Sequence, residues 1–224
     1  MLRFHKRPGA PRASGRSLWI VIALGLPWGL NSSRLIAQQP VDPFVVSCQA
    51  VEPGASLADL RARHGQAHVV DAPGSDPDDI PVTVLYPDSA ERRAEIRWAD
   101  SARTRMASLA VYGRKSVWHT PEGVAPGMAI AELELLNGRS FLLKHFEYAG
   151  GGYVFDWSGG KLAAASTGGC ALVVRLMPPA NQEFTRLEWR LVEAIASTSE
   201  VSSDERRIKP YKAAVVEIGL AWRK

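Results

Sequence analysis

Apolar residues recur along this chain with two different periods. Val82, Val84 and Tyr86, and then Ile96 and Trp98, alternate with other residues, as in a strand with one buried face. Ile130, Leu133 and Leu136 fall at helical spacing, and so do Phe184, Leu187, Leu191, Val192 and Ile195. One helical stretch also occurs twice. Residues 54–65 (GASLADLRARHG) and 127–138 (GMAIAELELLNG) share Gly54/Gly127, Ala58/Ala131, Leu60/Leu133 and Gly65/Gly138. Leu57/Ile130, Asp59/Glu132 and His64/Asn137 are alike in character. An internal repeat constrains architecture more than a single motif does, and this one predicts two copies of a short helix followed by strands.

In the first copy Ser56 caps a helix over about 57–64, with Asp59 in the first turn. Leu57, Leu60 and the methyl of Ala58 form its buried stripe, and Gly65 ends it in the left-handed conformation. A strand opens at Val69-Val70. Residues 72–81 (APGSDPDDIP) are turn chemistry and predict an exposed loop. Strands are expected at 82–86, 94–98 and 106–112, with a short one at 116–120. The second copy predicts a helix from Met128 or Ala129 to Gly138 and strands at 141–148 and 153–157. A brief continuation at 161–164 leads to a strand at 170–176. Beyond Pro178-Pro179 come a helix with the 184–195 stripe, a second cap at 202–205 ahead of Pro210, and a closing strand at 213–222. The expected fold class is α+β: a tandem repeat of a short helix packed on antiparallel strands, plus a C-terminal helix and closing strand. The repeats cover about 54–120 and 127–177 of a single domain at 48–224.

The N-terminus changes the charge picture. Arg3, Lys6, Arg7, Arg12 and Arg16 precede the apolar run at 17–30 (SLWIVIALGLPWGL), which is shorter than a bilayer span, and Ala37 follows before Gln38-Gln39-Pro40. A basic leader, a short apolar run and a small residue read as a signal peptide at 1–37, with an uncleaved membrane anchor as the alternative. Val45-Val46-Ser47-Cys48 matches a lipidation box only loosely, since Cys48 lies well past the apolar run. Residues 38–47 then form a lead-in linker whose proline-bearing start, 38–43, is expected to be mobile. The leader holds six of the 27 basic residues and none of the 23 acidic ones, so its removal turns the net charge from +4 to −2. A near-neutral mature chain offers no basic face for nucleic acid. The membrane would be met only through an uncleaved leader, and the chain is expected to be periplasmic or secreted.

Cys48 and Cys170 both lie in the exported part and read as one disulfide, with a pair of buried thiols as the alternative. His64 and His68 lie four apart, but Gly65 breaks the helix between them and no third metal ligand is near. Asp71, Asp76, Asp78 and Asp79 lack the spacing of a calcium loop. No serine sits in a nucleophile elbow, so neither a catalytic constellation, a cofactor nor a metal is expected from motifs. The segment with most binding character is 148–160 (YAGGGYVFDWSGG), where aromatics stand beside glycines. Tyr148, Tyr153, Phe155 and Trp157 are the candidate anchors, with Asp156 opposite; the alternative is an ordinary hairpin whose aromatics fill the core.

The unit G-x-[small]-[L/I]-A-[acidic]-L, four residues, then Gly and strands resembles the repeats of the SmpA/BamE-like and β-lactamase-inhibitor-like superfamily, over about half of the chain. The resemblance implies helices on three- or four-stranded antiparallel sheets and an envelope or secreted protein that presents a sheet face to another protein. It supplies no catalytic residues. The chain departs from that pattern in its C-terminal extension and in lacking a convincing lipidation box. The segment ELLNGRSF, the Gly/Tyr/Trp-rich strand pair and SSDE are also similar to bacterial envelope proteins with no assigned activity. The expected function is a non-enzymatic binding module with an envelope protein as partner. Its rival is a hydrolase or small-ligand-binding protein with a cleft between the repeats, gathering His119, His145, Glu147 or Asp156.

Overall fold

A computed structural model describes residues 42–48, 54–72, 82–166 and 169–222, all of them within one unit, Val41–Lys224. The leader at 1–37 and the loop aspartates Asp76, Asp78 and Asp79 lie outside the described residues. In chain order the elements are α1 (Leu57–His64), β1 (Val69–Ala72), β2 (Val82–Leu85), β3 (Ala94–Trp98), β4 (Met106–Tyr112) and α2 (Ile130–Asn137). They continue with β5 (Leu142–Lys144), β6 (Val154–Asp156), β7 (Cys170–Met177), α3 (Arg186–Glu193), β8 (Glu200–Ser202) and β9 (Ala214–Trp222). The fold is α+β, with every strand pairing antiparallel.

Strands β1 to β4 form a meander, and β9 and then β7 extend it to a six-stranded sheet in the order β1-β2-β3-β4-β9-β7. Alternation sets its register. Ala94, Ile96 and Trp98 of β3 point into the core while Glu95 and Arg97 point away. Opposite them stand Val111 and Leu109 of β4, which face Ile218 and Leu220 of β9, which in turn face Val174 and Leu172 of β7. One apolar layer thus runs across four strands. β2 departs from the expected half-burial, all four of its residues being buried. Its one polar side chain is satisfied: the Thr83 hydroxyl accepts from the Trp98 indole N–H at 2.8 Å and donates to Asp71 at 3.1 Å.

The helical half of the repeat occurs twice, as eight-residue helices of the same design. In each, the acidic third residue accepts from the backbone N–H of the capping position: Asp59 from Ser56 at 2.8 Å, and Glu132 from Ala129 at 2.7 Å. Leu60 and Leu133 are buried, but Ala58 is exposed, so it is not part of the α1 stripe. Gly138 ends α2 in the left-handed conformation, whereas Gly65 ends α1 with positive φ but an extended ψ of 136°. The strands after the two helices are arranged differently. Those after α1 build the large sheet; those after α2 divide, β5 and β6 joining β8 in a small sheet ordered β6-β5-β8 while β7 goes to the large one.

Asn137, at the position His64 holds in the first copy, explains much of that divergence. It is buried at the end of α2, donates to the carbonyls of Arg139 and Trp157 at 3.0 Å, and accepts from the Leu162 N–H at 3.1 Å. Capture of Leu162 turns 161–166 into a 3₁₀ helix where a strand was expected. The strand expected at 141–148 also stops early, at Lys144. Gly152 donates to the Lys144 carbonyl at 2.9 Å and accepts from the Leu176 N–H at 2.9 Å, and a Cβ there would lie 1.8 Å from the Leu176 oxygen. Residues 116–120 form a single bridge, His119 to Val45, in place of a strand.

Past β7, the α3 stripe is only partly buried. Val192, and Ile195 beyond the helix, enter the core, but Leu187 and Leu191 are exposed because α3 is just eight residues long and turns only its Val192 side inward. The second cap falls at Glu205 and starts a 3₁₀ helix, Arg206–Tyr211, that runs through Pro210.

Cys48 and Cys170 form a disulfide with Cα atoms 6.0 Å apart. It fixes the end of the 42–48 segment, most of which lies in the expected 38–47 linker, against β7. That segment is packed: Val46 is buried and donates to the His119 carbonyl at 2.8 Å, while His119 donates to the Phe44 carbonyl at 3.1 Å. Reducing the bridge, which spans 122 residues, is expected to cost about 5 kcal/mol of unfolding free energy. Urea denaturation with and without a dithiol reads that loss directly, and coincident curves would refute it.

Candidate functional site

Beneath α1 lies a cavity of about 370 Å³. Leu85 of β2, Met106 and Leu109 of β4, and Trp118 line it from the sheet side. Asp42, Pro43 and Val45 contribute from the segment ahead of the disulfide, and Ala55, Asp59, Leu60, Arg63 and His64 from α1 and its cap. The space has a simple origin. α1 has eight residues, and Leu60 is its one fully buried side chain, so an apolar floor is left partly uncovered. The volume is within the range of small-molecule sites, which are mostly apolar with a few polar groups at the rim.

The polar groups at the rim are held by local bonds. Asp59 accepts from the Ser56 N–H and hydroxyl at 2.8 and 2.7 Å, and those bonds hold its carboxyl below the usual range. Asp42 accepts from the Phe44 N–H at 2.9 Å and stands 3.7 Å from the His119 imidazole. His64 Nδ1 is 3.1 Å from the Tyr86 hydroxyl. Burial, then the charges of Arg63 and His68, push its pKa down, which favours a neutral ring at neutral pH. Tyr86 has a φ of +49° and lies within ring-contact distance of Phe44, His64 and His68, with the Arg92 guanidinium 5.4 Å from its ring centre. Phe44 meets Trp118 edge-on at 5.3 Å, and the Trp118 indole donates to the Arg92 carbonyl at 2.8 Å. Aromatic rings thus fix the wall while Leu, Met and Val side chains form the surface a guest would touch.

The four aromatic anchors expected in the 148–157 hairpin are not gathered on one face. β6 covers only Val154–Asp156, so alternation does not carry through Tyr153 and Trp157. Trp157 is buried against Phe141 at 5.3 Å. Tyr153 bridges to Arg175 of β7, donates from its hydroxyl to Glu217 of β9 at 3.0 Å, and carries the Arg175 guanidinium 5.0 Å from its ring. Burial of Glu217 raises its carboxyl pKa, and Tyr153 and Arg175 oppose the rise. Phe155, 46% exposed, lies under Lys144 Nζ at 5.2 Å; Tyr148, 39% exposed, donates to the Ala196 carbonyl at 3.3 Å. Asp156 caps the turn by accepting from the Ser158 N–H at 2.7 Å.

Of the polar residues expected in a cleft, His145 and Glu147 do meet, through Tyr211. The Tyr211 hydroxyl donates to Glu147 at 2.8 Å and lies 3.4 Å from His145 Nε2. His145 and Tyr211 are buried, which suits a link between the end of β5 and the Arg206–Tyr211 turn more than a surface reached by substrate. His119 is elsewhere, beside Asp42. The space at the boundary between the repeats, lined by Val46, Thr120, Ala165 and Leu172 among others, is only about 40 Å³. The roomier cavity lies instead within the first repeat and its lead-in. His64 and His68 both pack on Tyr86, and Asp71 is paired with Arg103 and bonded to Thr83. Among the described residues, no group of three or more His, Cys, Asp or Glu is placed to hold a metal ion, and no helix is long and apolar enough to cross a membrane.

Sequence reasoning missed the cavity because its walls come from 42–45, 55–64, 85, 106–109 and 118, with no local motif. The one available signal was the sparse apolar content of α1. No family model, curated protein or solved structure matches the chain.

Burial depresses the His145 pKa, and Nδ1 of the ring is buried with no hydrogen-bond partner among the described residues. The unfolded chain therefore binds more protons than the folded one between the lowered folded value and about 6.5. Stability is expected to be full near neutral pH and to fall as pH drops below about 6.5. In His145→Phe that part of the slope should disappear. Equal acid slopes in wild type and variant, from urea midpoints across pH, would sink this assignment.

Proposed function

We propose that this protein is an exported, non-catalytic binding protein of the periplasm or extracellular space, which takes the apolar part of a small ligand into the cavity under α1. The observation that carries the reading is an apolar-floored space of about 370 Å³ bounded by ordered aromatic and aliphatic side chains. Its rim residues are already held by capping and ring contacts, an arrangement suited to holding a guest and without an evident nucleophile–base pair. Export is supported by the basic leader and apolar run at the N-terminus and agrees with the Cys48–Cys170 disulfide.

Binding is expected to follow from area removed from water, so neutral apolar guests should bind without a charged group. The neutral fluorophore N-phenyl-1-naphthylamine is expected to brighten in the full chain and to quench tryptophan emission, Trp118 being in the wall. Ala55→Phe, which puts a ring into the cavity from the loop ahead of α1, should weaken that binding about tenfold or more, a loss of at least 1.4 kcal/mol. Unchanged affinity in a folded Ala55→Phe variant, or no binding by the wild type, would remove the reading.

A further inference from the structure

Four ionisable side chains line the cavity under α1. Asp42, Asp59 and Arg63 are exposed at its rim, and His64 alone of the four is half-buried. The rim charges select no ionic guest. Asp59 and Arg63 stand one helical turn apart with opposite charges, and Asp42 lies 3.7 Å from His119 Nε2. The Trp118 indole N–H is already given to the Arg92 carbonyl at 2.8 Å. The group left to meet the polar part of a guest is the His64 imidazole.

Tyr86 decides which nitrogen of that ring carries the proton. Its hydroxyl lies 3.1 Å from His64 Nδ1, the one acceptor it meets among the described residues. A phenol is the stronger acid and an imidazole nitrogen the stronger base, so the hydroxyl donates and Nδ1 accepts. The proton of the neutral ring is then on Nε2. Both rings are held in place. Tyr86 packs against Phe44 and His68 at 5.9 and 5.1 Å, with the Arg92 guanidinium 5.4 Å from its centre. His64 meets Tyr86 edge-on at 5.6 Å and lies 6.4 Å from Trp118. Burial, then the charges of Arg63 and His68, lower its pKa and keep it neutral at neutral pH. Nε2–H is thus a fixed, uncharged donor on a half-buried ring of the lining, with no partner among the described residues.

We infer that the ligand of this cavity carries a neutral carbonyl group, as a ketone or ester does, on its apolar body, and that His64 Nε2–H donates to the carbonyl oxygen. The inference rests on the binding reading above and adds one polar contact to it. Tyr86 does not line the cavity and acts as a positioning residue, by fixing the tautomer. A pure hydrocarbon would leave the donor unpaired, whereas a carbonyl satisfies it, so the site distinguishes two guests of equal shape.

Two measurements on the full chain test this. At neutral pH the imidazole nitrogen NMR resonances of His64 should show Nε2 protonated and Nδ1 bare, and Tyr86→Phe should give a mixture of both tautomers. Displacement of N-phenyl-1-naphthylamine then gives the affinities of 2-acetylnaphthalene and 2-isopropenylnaphthalene, a ketone and a hydrocarbon of the same shape. His64→Phe should move the ratio of those affinities about fivefold toward the hydrocarbon. Comparing the ratio between proteins cancels the difference in how water holds the two guests. Should that variant fail to fold, the carbonyl stretch of 2-acetylnaphthalene bound to the wild type decides, and a frequency below that in hexane is expected. A proton on Nδ1, an unchanged ratio in folded His64→Phe, or a hexane-like stretch overturns the inference and leaves the binding reading standing. The same holds if the fluorophore binds and neither guest displaces it. A fluorophore that does not bind at all removes both.

Discussion

The pairing of β9 between β4 and β7 is the constraint on which the rest of the architecture depends. It joins Leu109 and Val111 on one side to Leu172 and Val174 on the other through Leu220 and Ile218. Ala213 and Ala214, at its start, also tie down α2 through the N–H of Ile130 and a bridge to Ala129. Gly219 lets the strands come this close, since a Cβ there would stand 2.3 Å from the Leu109 carbonyl oxygen. Without β9 the first meander would end in an open edge at β4, and β7, α2 and the small sheet would have nothing to assemble against.

The cavity depends on the same arrangement at one remove. Its floor is the β2 to β4 part of the large sheet, and one wall is the 42–46 segment. That segment is bound to His119 on one side and, two residues on, to β7 through the disulfide. The disulfide therefore holds the wall of the proposed site as well as closing the loop in sequence. α3 stands apart from it, held by few buried side chains and presenting most of its surface outward.

What could be read from the chain follows the reach of each physical signal. The Ser56 cap of α1, the glycine stop of α2, the alternation in β3 and the closing strand were legible because they rest on neighbours within a few residues. The disulfide was legible because two cysteines leave one pairing. The early end of β5 and the 3₁₀ helix at 161–166 were not, since each is set by a distant partner: Leu176 in one case, Asn137 in the other. The 184–195 stripe pointed to a helix correctly but misplaced its buried face, because periodicity gives a direction and not what lies along it. For the same reason the aromatics at 148–157 could be found but not sorted into buried Trp157, bonded Tyr153 and exposed Phe155. The cavity left almost no mark, being the space between segments far apart in the chain.

β9 follows β4 by about a hundred residues, and the pairing between them has consequences for timing. A chain delivered from its N-terminus, whether by a ribosome or by a translocation channel, cannot finish the large sheet until residues 214–222 have emerged. Until then the meander has an unpaired edge and an apolar face still to be covered. Late closure of this kind commits the polypeptide to its final shape only when nearly all of it has been delivered.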